Sequence, residues 1–330
     1  MTSKNKHLTL DVRPDLQQKT IALIQKSFAY MKNNRFDVDF YPLFNKENFN
    51  NIHILINEHD DVVATIGFLA KNLKYKNRSV PVGFLGGIAV EENLRGQGIF
   101  KGFFNDVLEK VETNVALLFL WSNLYEMYNK FDFHLAGEFF EYQANSIDPL
   151  KNAKKISDFS ENEWDSIKKI YNENYNHYLT VVREDNDWKK IQKISSINGL
   201  IDNDSYYFFN KGQDLLNIVH EFGGKSLKEL SNLPYIIWSP TKLQLSPEFK
   251  KVLGLIRIAN KSKFLLFIDD FFEGKLKIDI MSKSEVKFTF EHKTYNEPLA
   301  NFITLLFGPN SAEEFKAYLP PLFIGGADSI

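Results

Sequence analysis

The sequence predicts an α/β (α+β) fold, because strand and helix patterns alternate along its 330 residues. In the first half, the apolar run 84–90 leads through a Gly-rich turn into an amphipathic helix, and the apolar run 115–121 follows that helix. In the second half, helical patterns at 161–178 and 185–194 precede a hairpin pattern at 205–222. Apolar residues spaced three and four apart indicate helices, and short apolar or alternating runs indicate strands.

The elements of the first half follow in order. We predict a strand at 8–13, a helix at 15–31 after Pro14, an aromatic-rich loop at 35–49, a hairpin of strands at 52–56 and 62–70, and a long strand at 79–90. For the later part of the chain we predict strands at 235–239, 263–268, 276–280 and 286–292, and a helix at 298–307 capped by Asn296.

The turn at 94–102 is the most informative segment. Arg95, Gly96 and Gly98 lie between a strand and a helix. The free N–H groups and the dipole of a helix N-terminus favour an anion, and glycine lets the backbone come close to it. This turn therefore predicts a phosphate or pyrophosphate site. Its spacing excludes a Walker loop and a Gly-x-Gly-x-x-Gly dinucleotide fingerprint.

The pattern Arg-x-x-Gly-x-(Gly/Ala), read at Arg95, Gly98 and Phe100, resembles the acyl-CoA loop of the GNAT acetyltransferases. The resemblance implies a central mixed, mostly antiparallel sheet flanked by helices, with acetyl-CoA as co-substrate. It places pantetheine on the strand and pyrophosphate on the turn. The implied cofactor-binding residues are Ile88, Ala89, Val90, Arg95, Gly96, Gln97, Gly98, Ile99 and Phe100. Phe100 departs from the pattern, in which Gly or Ala is usual.

A second segment, Tyr128-Asn129-Lys130-Phe131-Asp132-Phe133, resembles the second GNAT signature, with Asp132 in place of the usual Gly. A phenol near a departing thiolate can supply its proton, since thiols titrate near ~8.5 and phenols near ~10. By this resemblance Tyr128 is the general acid. Tyr125 lies on the same helix and competes for the role.

The sequence marks no clear general base. Glu91, Glu92, Glu126 and His134 lie near the motifs, but solvated or packed roles suit them as well. The tail 319–330 stays apolar almost to its end, which predicts docking rather than fraying. Similarity to the enhanced-intracellular-survival type of aminoglycoside acetyltransferase would make the Ile330 carboxylate, or Asp328, the base.

The pattern predicts two domains. Residues 1–146 form a GNAT acyl-CoA-binding catalytic domain, and residues 150–330 form a degenerate GNAT-like domain that lacks an acyl-CoA loop and shapes the acceptor site. A different α/β partner domain is the alternative for the second half.

Composition limits the function classes. The net charge of −2 gives no reason to expect nucleic acid or an anionic membrane, and the absence of Cys excludes an acyl-cysteine intermediate. The seven His have no metal-ligand spacing, so no metal is expected. No leader or apolar span is evident, which predicts a soluble cytoplasmic protein.

The leading hypothesis is direct N-acetyl transfer from acetyl-CoA to a small-molecule or peptide amine. The main alternative is a non-catalytic acyl-CoA-binding or regulatory module, which the departures at Phe100 and Asp132 favour. An aminoacyl- or peptidyl-type transferase is a weaker third reading. The acceptor and the oligomeric state stay open.

Overall fold

A computed structural model describes residues 5–143, 152–202, 204–224, 235–246 and 248–330. Thirteen strands in these ranges form one mixed, mostly antiparallel sheet, which confirms the predicted fold class. They are β1 (Lys6–Thr9), β2 (Ile52–Ile56), β3 (Val62–Tyr75), β4 (Arg78–Val90), β5 (Leu117–Leu120), β6 (His134–Tyr142), β7 (Lys154–Lys155), β8 (Thr180–Val181), β9 (Asn198–Asp202), β10 (Ser205–Phe209), β11 (Ile218–Gly224), β12 (Ile236–Ser239) and β13 (Glu248–Ile258).

A smaller antiparallel sheet consists of β14 (Leu276–Met281), β15 (Val286–Phe290) and β16 (Lys293–Glu297). The α-helices of the described ranges are α1 (Gln17–Ser27), α2 (Phe36–Asp39), α3 (Tyr41–Phe44), α4 (Ile99–Val111), α5 (Tyr125–Asn129), α6 (Glu161–Tyr175), α7 (Asp185–Ile191), α8 (Lys261–Phe272) and α9 (Leu299–Phe307). Within these ranges, no helix has both the length and the apolar content needed to cross a bilayer.

The large sheet joins both halves of the chain. Its strand order is β1-β2-β3-β4-β5-β13-β6-β12-β11-β10-β9-β7, with β8 paired to β3. The strand β13, to which the sequence pattern assigned no element, lies antiparallel between β5 and β6. Among the described residues, strand β6 therefore joins the sheet only through strands of the second half, β13 and β12. The predicted boundary at 146–150 lies outside the described residues, and the division into two domains stays a prediction.

Strands β4 and β5 separate at the centre of the sheet. They pair in parallel only from Val82 to Phe84, although β4 continues to Val90. A bulge in β4 opposite Thr65–Gly67 contains Gly87, whose φ of +59° is left-handed. Glycine adopts this conformation without the strain that a side chain would add. The bulge and the early end of the β4–β5 pairing leave a gap between two adjacent strands.

The core has two layers around this gap. On one face, Phe84 packs with α1, α8, α9 and the C-terminal tail. On the other face, Leu85 packs with Phe103 and Phe104 of α4 and with Tyr128 of α5. Successive side chains of a strand point to opposite faces. The gap therefore connects what we call the α1 face and the α4 face.

Three local predictions were wrong. Residues 263–268 belong to helix α8, not to a strand, because Phe264, Phe267 and Phe271 are buried at helical spacing and Asn260 caps the N-terminus. The segment 35–49 forms helical turns, including α2 and α3, instead of an irregular loop. Asn296 lies in β16, so it does not cap α9; the residue before that helix is Pro298.

Candidate active site

The turn between β4 and α4 has the geometry of an anion site. Gly96 and Gly98 have φ of +76° and +79°, and Gly98 precedes the first residue of α4 with no side-chain cap. A Cβ added at either glycine would meet no atom within 4 Å. The first N–H groups of α4 thus face open space, where an anion can bind them.

Two polar side chains brace the turn. Arg95 donates from Nε to the carbonyl of Val90 at 3.0 Å, and Gln97 donates to the carbonyl of Asn93 at 2.8 Å. The N–H of the neighbouring Glu91 donates to the Val63 carbonyl at 2.9 Å. Because N–H groups alternate along a strand, the Val90 amide points away from β3, toward the gap.

A cavity of about 1160 Å³ runs from this turn to the C-terminus of the chain. Seven of the nine predicted cofactor-binding residues line it, and Gln97 and Ile99 do not: the seven are Ile88, Ala89, Val90, Arg95, Gly96, Gly98 and Phe100. Lys101 and Lys130 add two cations at the same end, where the phosphates of CoA would lie. The assignment of these residues to CoA stays a prediction.

The two tyrosines of α5 occupy different environments. Tyr128 is buried at 5% exposure and lines the cavity, whereas Tyr125 is 46% exposed and is not among the lining residues. Burial raises the pKa of the Tyr128 phenol above its ordinary value, so the hydroxyl stays protonated at neutral pH. Of the two candidates, Tyr128 alone lines the cavity, and its role as the acid stays a prediction.

The two departures from the family pattern are accommodated. Phe100 stacks on Phe104, with ring centroids 5.0 Å apart, and its edge meets the ring of Tyr128 at 6.3 Å. Asp132 adopts a φ of +60°, the left-handed conformation for which glycine is usual and which Asp tolerates. Its carboxylate pairs with Arg257 at 3.2 Å. Neither residue fills the phosphate turn.

The last residue of the chain reaches the gap from the α1 face. A Cβ placed on Gly86 of β4 would lie 2.9 Å from the carboxyl carbon of Ile330, so only glycine permits this approach. Ile330 also lines the cavity. Asp328 is instead buried against Arg183, which donates to it at 2.9 Å. Of the two tail residues, Ile330 alone lines the cavity.

The other base candidates are turned elsewhere. Glu91 pairs with Lys26, and Glu92 and Glu126 are exposed. His134 begins β6, and burial lowers its pKa. None of the four is among the residues that line the cavity.

Lys211 holds the tail in place, although no functional motif of the sequence includes this residue. Its buried ammonium donates to the carbonyls of Gly326, at 2.9 Å, and of Ser329. Burial lowers the pKa of Lys211 to about 8, against the opposing effect of nearby carboxylates. The hairpin turn around Gly212 was recognised in the sequence, but nothing local indicates that Lys211 binds a segment more than a hundred residues away.

A Val at Gly98 should weaken acetyl-CoA binding at least tenfold. The left-handed φ is strained for a β-branched residue by ~1–3 kcal/mol, so the turn would lose its anion-binding conformation. Isothermal titration measures the effect. Gly102→Ala is the matched control, because Gly102 lies inside α4 with open space at its Cβ and should keep full affinity. Unchanged binding by Gly98→Val would contradict the assignment of the turn.

Comparison with known proteins agrees with this geometry. Residues 11–136 match the family model described as acetyltransferase (GNAT) domain. No curated protein matches the chain in sequence.

Solved structures share the fold over nearly the whole chain. A probable N-acyltransferase from Enterococcus faecalis V583, described as a conserved protein of unknown function, has a TM-score of 0.60 at 13% identity and covers 96% of this chain and 92% of its own. A GCN5-related N-acetyltransferase from Anabaena variabilis has a TM-score of 0.60 at 12% identity, covering 99% and 100%. Eis1 from Mycobacterium abscessus has a TM-score of 0.56 at 10% identity, covering 91% and 89%.

The glycine turn, the gap between β4 and β5 and the matched family model converge on one conclusion. Residues 11–136 match the acetyltransferase (GNAT) domain model, and the chain has the GNAT fold, as the sequence motifs predicted.

Proposed function

We propose that this protein is an acetyl-CoA-dependent N-acetyltransferase that transfers the acetyl group directly to an amine. A GNAT domain supports an acyl-CoA-dependent acyltransferase in general terms. The observation that carries the finer proposal is the cavity through the sheet, which has Tyr128 on the α4 face and Ile330 on the α1 face. A proton donor and a proton acceptor thus flank the gap from opposite sides.

The reaction begins with acetyl-CoA on the α4 face. The N-terminus of α4 and the basic residues Arg95, Lys101 and Lys130 hold the phosphates, and pantetheine follows residues 88–90 of β4 into the gap. The Val90 amide, which points into the gap, polarises the thioester carbonyl. Such a preorganised donor stabilises the negative charge that develops on the carbonyl oxygen.

The acceptor amine reaches the thioester from the α1 face. A free amine titrates near ~10.4, so it must lose a proton before or during attack. We assign this proton to the Ile330 carboxylate, directly or through one water. The nitrogen bonds to the carbonyl carbon, the C–S bond breaks, and the departing thiolate takes a proton from Tyr128.

Replacing Tyr128 by Phe should lower kcat by about 10²-fold or more, since that is the usual contribution of general acid catalysis. Acetyl-CoA affinity should be retained, because the phenyl ring keeps its packing against Phe100 and Phe104. Release of free CoA in the presence of an amine panel measures turnover.

Tyr125→Phe is the control and should leave kcat unchanged, since Tyr125 is exposed and does not line the cavity. Equal turnover by wild type and Tyr128→Phe would exclude Tyr128 as the acid. Saturable acetyl-CoA binding with no turnover of any amine would favour the non-catalytic acyl-CoA-binding module instead.

A further inference from the structure

The part of the cavity on the α1 face indicates the chemistry of the amine acceptor, if the proposed function holds. We call this part the acceptor chamber. It lies between the segment 28–40, the turn 211–215, strands β12 and β13, and the tail 323–330. Its walls are mainly aromatic, with the six rings of Phe28, Phe36, Phe40, Phe139, Trp238 and Phe323.

Three side-chain donors that line the acceptor chamber are already engaged. Lys211 donates to the tail carbonyls of Gly326 and Ser329. The indole N–H of Trp238 donates to Glu141 at 3.0 Å, and the Ser329 hydroxyl donates to the Gly326 carbonyl at 2.8 Å. These three side chains therefore leave no free donor for a ligand.

Two side-chain hydrogen-bond acceptors in the chamber have no hydrogen-bond partner within the described ranges. Asp214 is exposed, lines the cavity, and accepts no hydrogen bond from a described residue. Its turn is fixed beside α1, because Gln213 donates to the Phe28 carbonyl at 3.1 Å and accepts from the Met31 N–H at 2.9 Å. The carboxylate is thus presented to the chamber on a braced turn.

The second unpaired acceptor is a ring nitrogen of His220. This residue is 1% exposed and lines the cavity, and its Nε2 lies 3.1 Å from the carbonyl of Asn210. Because a carbonyl only accepts, Nε2 carries the proton and Nδ1 is left as an acceptor without a partner. Burial lowers the pKa of His220 to about 3, so the ring stays neutral at physiological pH.

We propose that the acceptor is a primary amine carried on an apolar body about the size of an aromatic ring, and that Asp214 binds its ammonium group. Aromatic walls attract a cation through their ring faces and remove apolar surface from water. A ligand rich in hydroxyl groups would leave those groups unpaired against the same walls, at a cost in affinity. An ammonium group supplies hydrogen-bond donors for the carboxylate and the ring nitrogen of the chamber, which accept hydrogen bonds.

An acyl chain longer than acetyl is the competing occupant of the aromatic walls. It carries no charge, however, and would offer no hydrogen-bond donor to the Asp214 carboxylate, whose charge the tail-bound Lys211 offsets only in part. The position of Asp214 therefore favours a cationic acceptor over a long acyl group.

The test measures binding of 2-phenylethylamine to the full-length protein saturated with free CoA, at pH 7, by isothermal titration. We expect it to bind at least tenfold more tightly than 2-phenylethanol, glucosamine or spermidine. Asp214→Asn should abolish the preference for the amine over the alcohol. Asp279→Asn, an exposed substitution on β14, is the matched control and should keep that preference.

Equal affinity for amine and alcohol, tighter binding of glucosamine or spermidine, or an unchanged preference in Asp214→Asn would overturn the proposal. Displacement of 2-phenylethylamine by octanoyl-CoA but not by acetyl-CoA would assign the chamber to an acyl chain and overturn it as well. Turnover is scored separately. Selective binding without acetyl transfer would refute the proposed enzymatic function but still support the ligand class. Acetylation of only sugars or polyamines would support the enzymatic function and refute the ligand class.

Discussion

A chain extended by two glycines after Ile330 should bind acetyl-CoA with unchanged affinity but turn over at least 10²-fold more slowly. The extension converts the Ile330 carboxylate into a neutral amide, which cannot accept the proton of the attacking amine. General base catalysis contributes about 10²–10⁴-fold, so the loss should fall in that range. The backbone of Ile330 lies against Gly86 in the gap, so the added residues would also crowd the reacting atoms.

Two controls separate charge from crowding. Ile330→Val keeps the carboxylate and the chain length, and it should retain near-normal kcat. Deletion of Ile330 moves the carboxylate one residue back and should lower kcat without adding bulk. Intact mass of each purified chain confirms its last residue. Normal turnover by the extended chain would refute the assignment of the base.

Replacing Arg183 by Met should lower the free energy of unfolding by about 3–5 kcal/mol, because removing one partner of a buried ion pair leaves the other charges uncompensated. The Arg183 guanidinium is buried, donates to both oxygens of Glu221 at 2.6 and 2.8 Å, and pairs with Asp328 of the tail at 2.8 Å. It also lies 4.1 Å from the ring centre of Tyr171. Without it, two buried carboxylates would lose the guanidinium that pairs with both of them.

Urea unfolding followed by tryptophan fluorescence measures this change. Arg13→Met is the control, since Arg13 makes exposed ion pairs with Asp15 and Asp60 and pairs of that kind contribute little. Because Asp328 holds the tail, Arg183→Met should also reduce turnover. A loss below about 1 kcal/mol would mean that water or rearranged side chains compensate the carboxylates.

Local sequence patterns correctly predicted those elements that depend mainly on contacts between residues close together in the sequence. The strand, glycine turn and helix at 84–111 depend on φ values, a helix N-terminus and an apolar stripe, all of which the sequence encodes locally. Helix α8 was mistaken for a strand because its dense Phe content resembles a buried strand as much as a buried helix. Short apolar runs do not distinguish the two by themselves.

Strand β13 and the acceptor chamber were beyond local prediction. The first four residues of β13 are exposed and three of them are charged, and its partners lie more than a hundred residues earlier in the chain. Asp214, Lys211 and His220 belong to one hairpin, but they line the cavity only because the sheet brings the second half beside the first. Composition contains no signal for such contacts. The apolar tail was informative, because an apolar terminus needs a surface to cover, but its contact with Gly86 required the structure.

The insertion of β13 between β5 and β6 also constrains how the chain is made. During synthesis from the N-terminus, β5 and β6 leave the ribosome with unpaired edges and stay so until residue 258 has emerged. Exposed strand edges recruit other strands, so the unfinished chain passes through an aggregation-prone interval. For the same reason, a fragment that ends near residue 143 would lack a central strand of its sheet, and the first half of the chain should be expressed only together with the half that follows it.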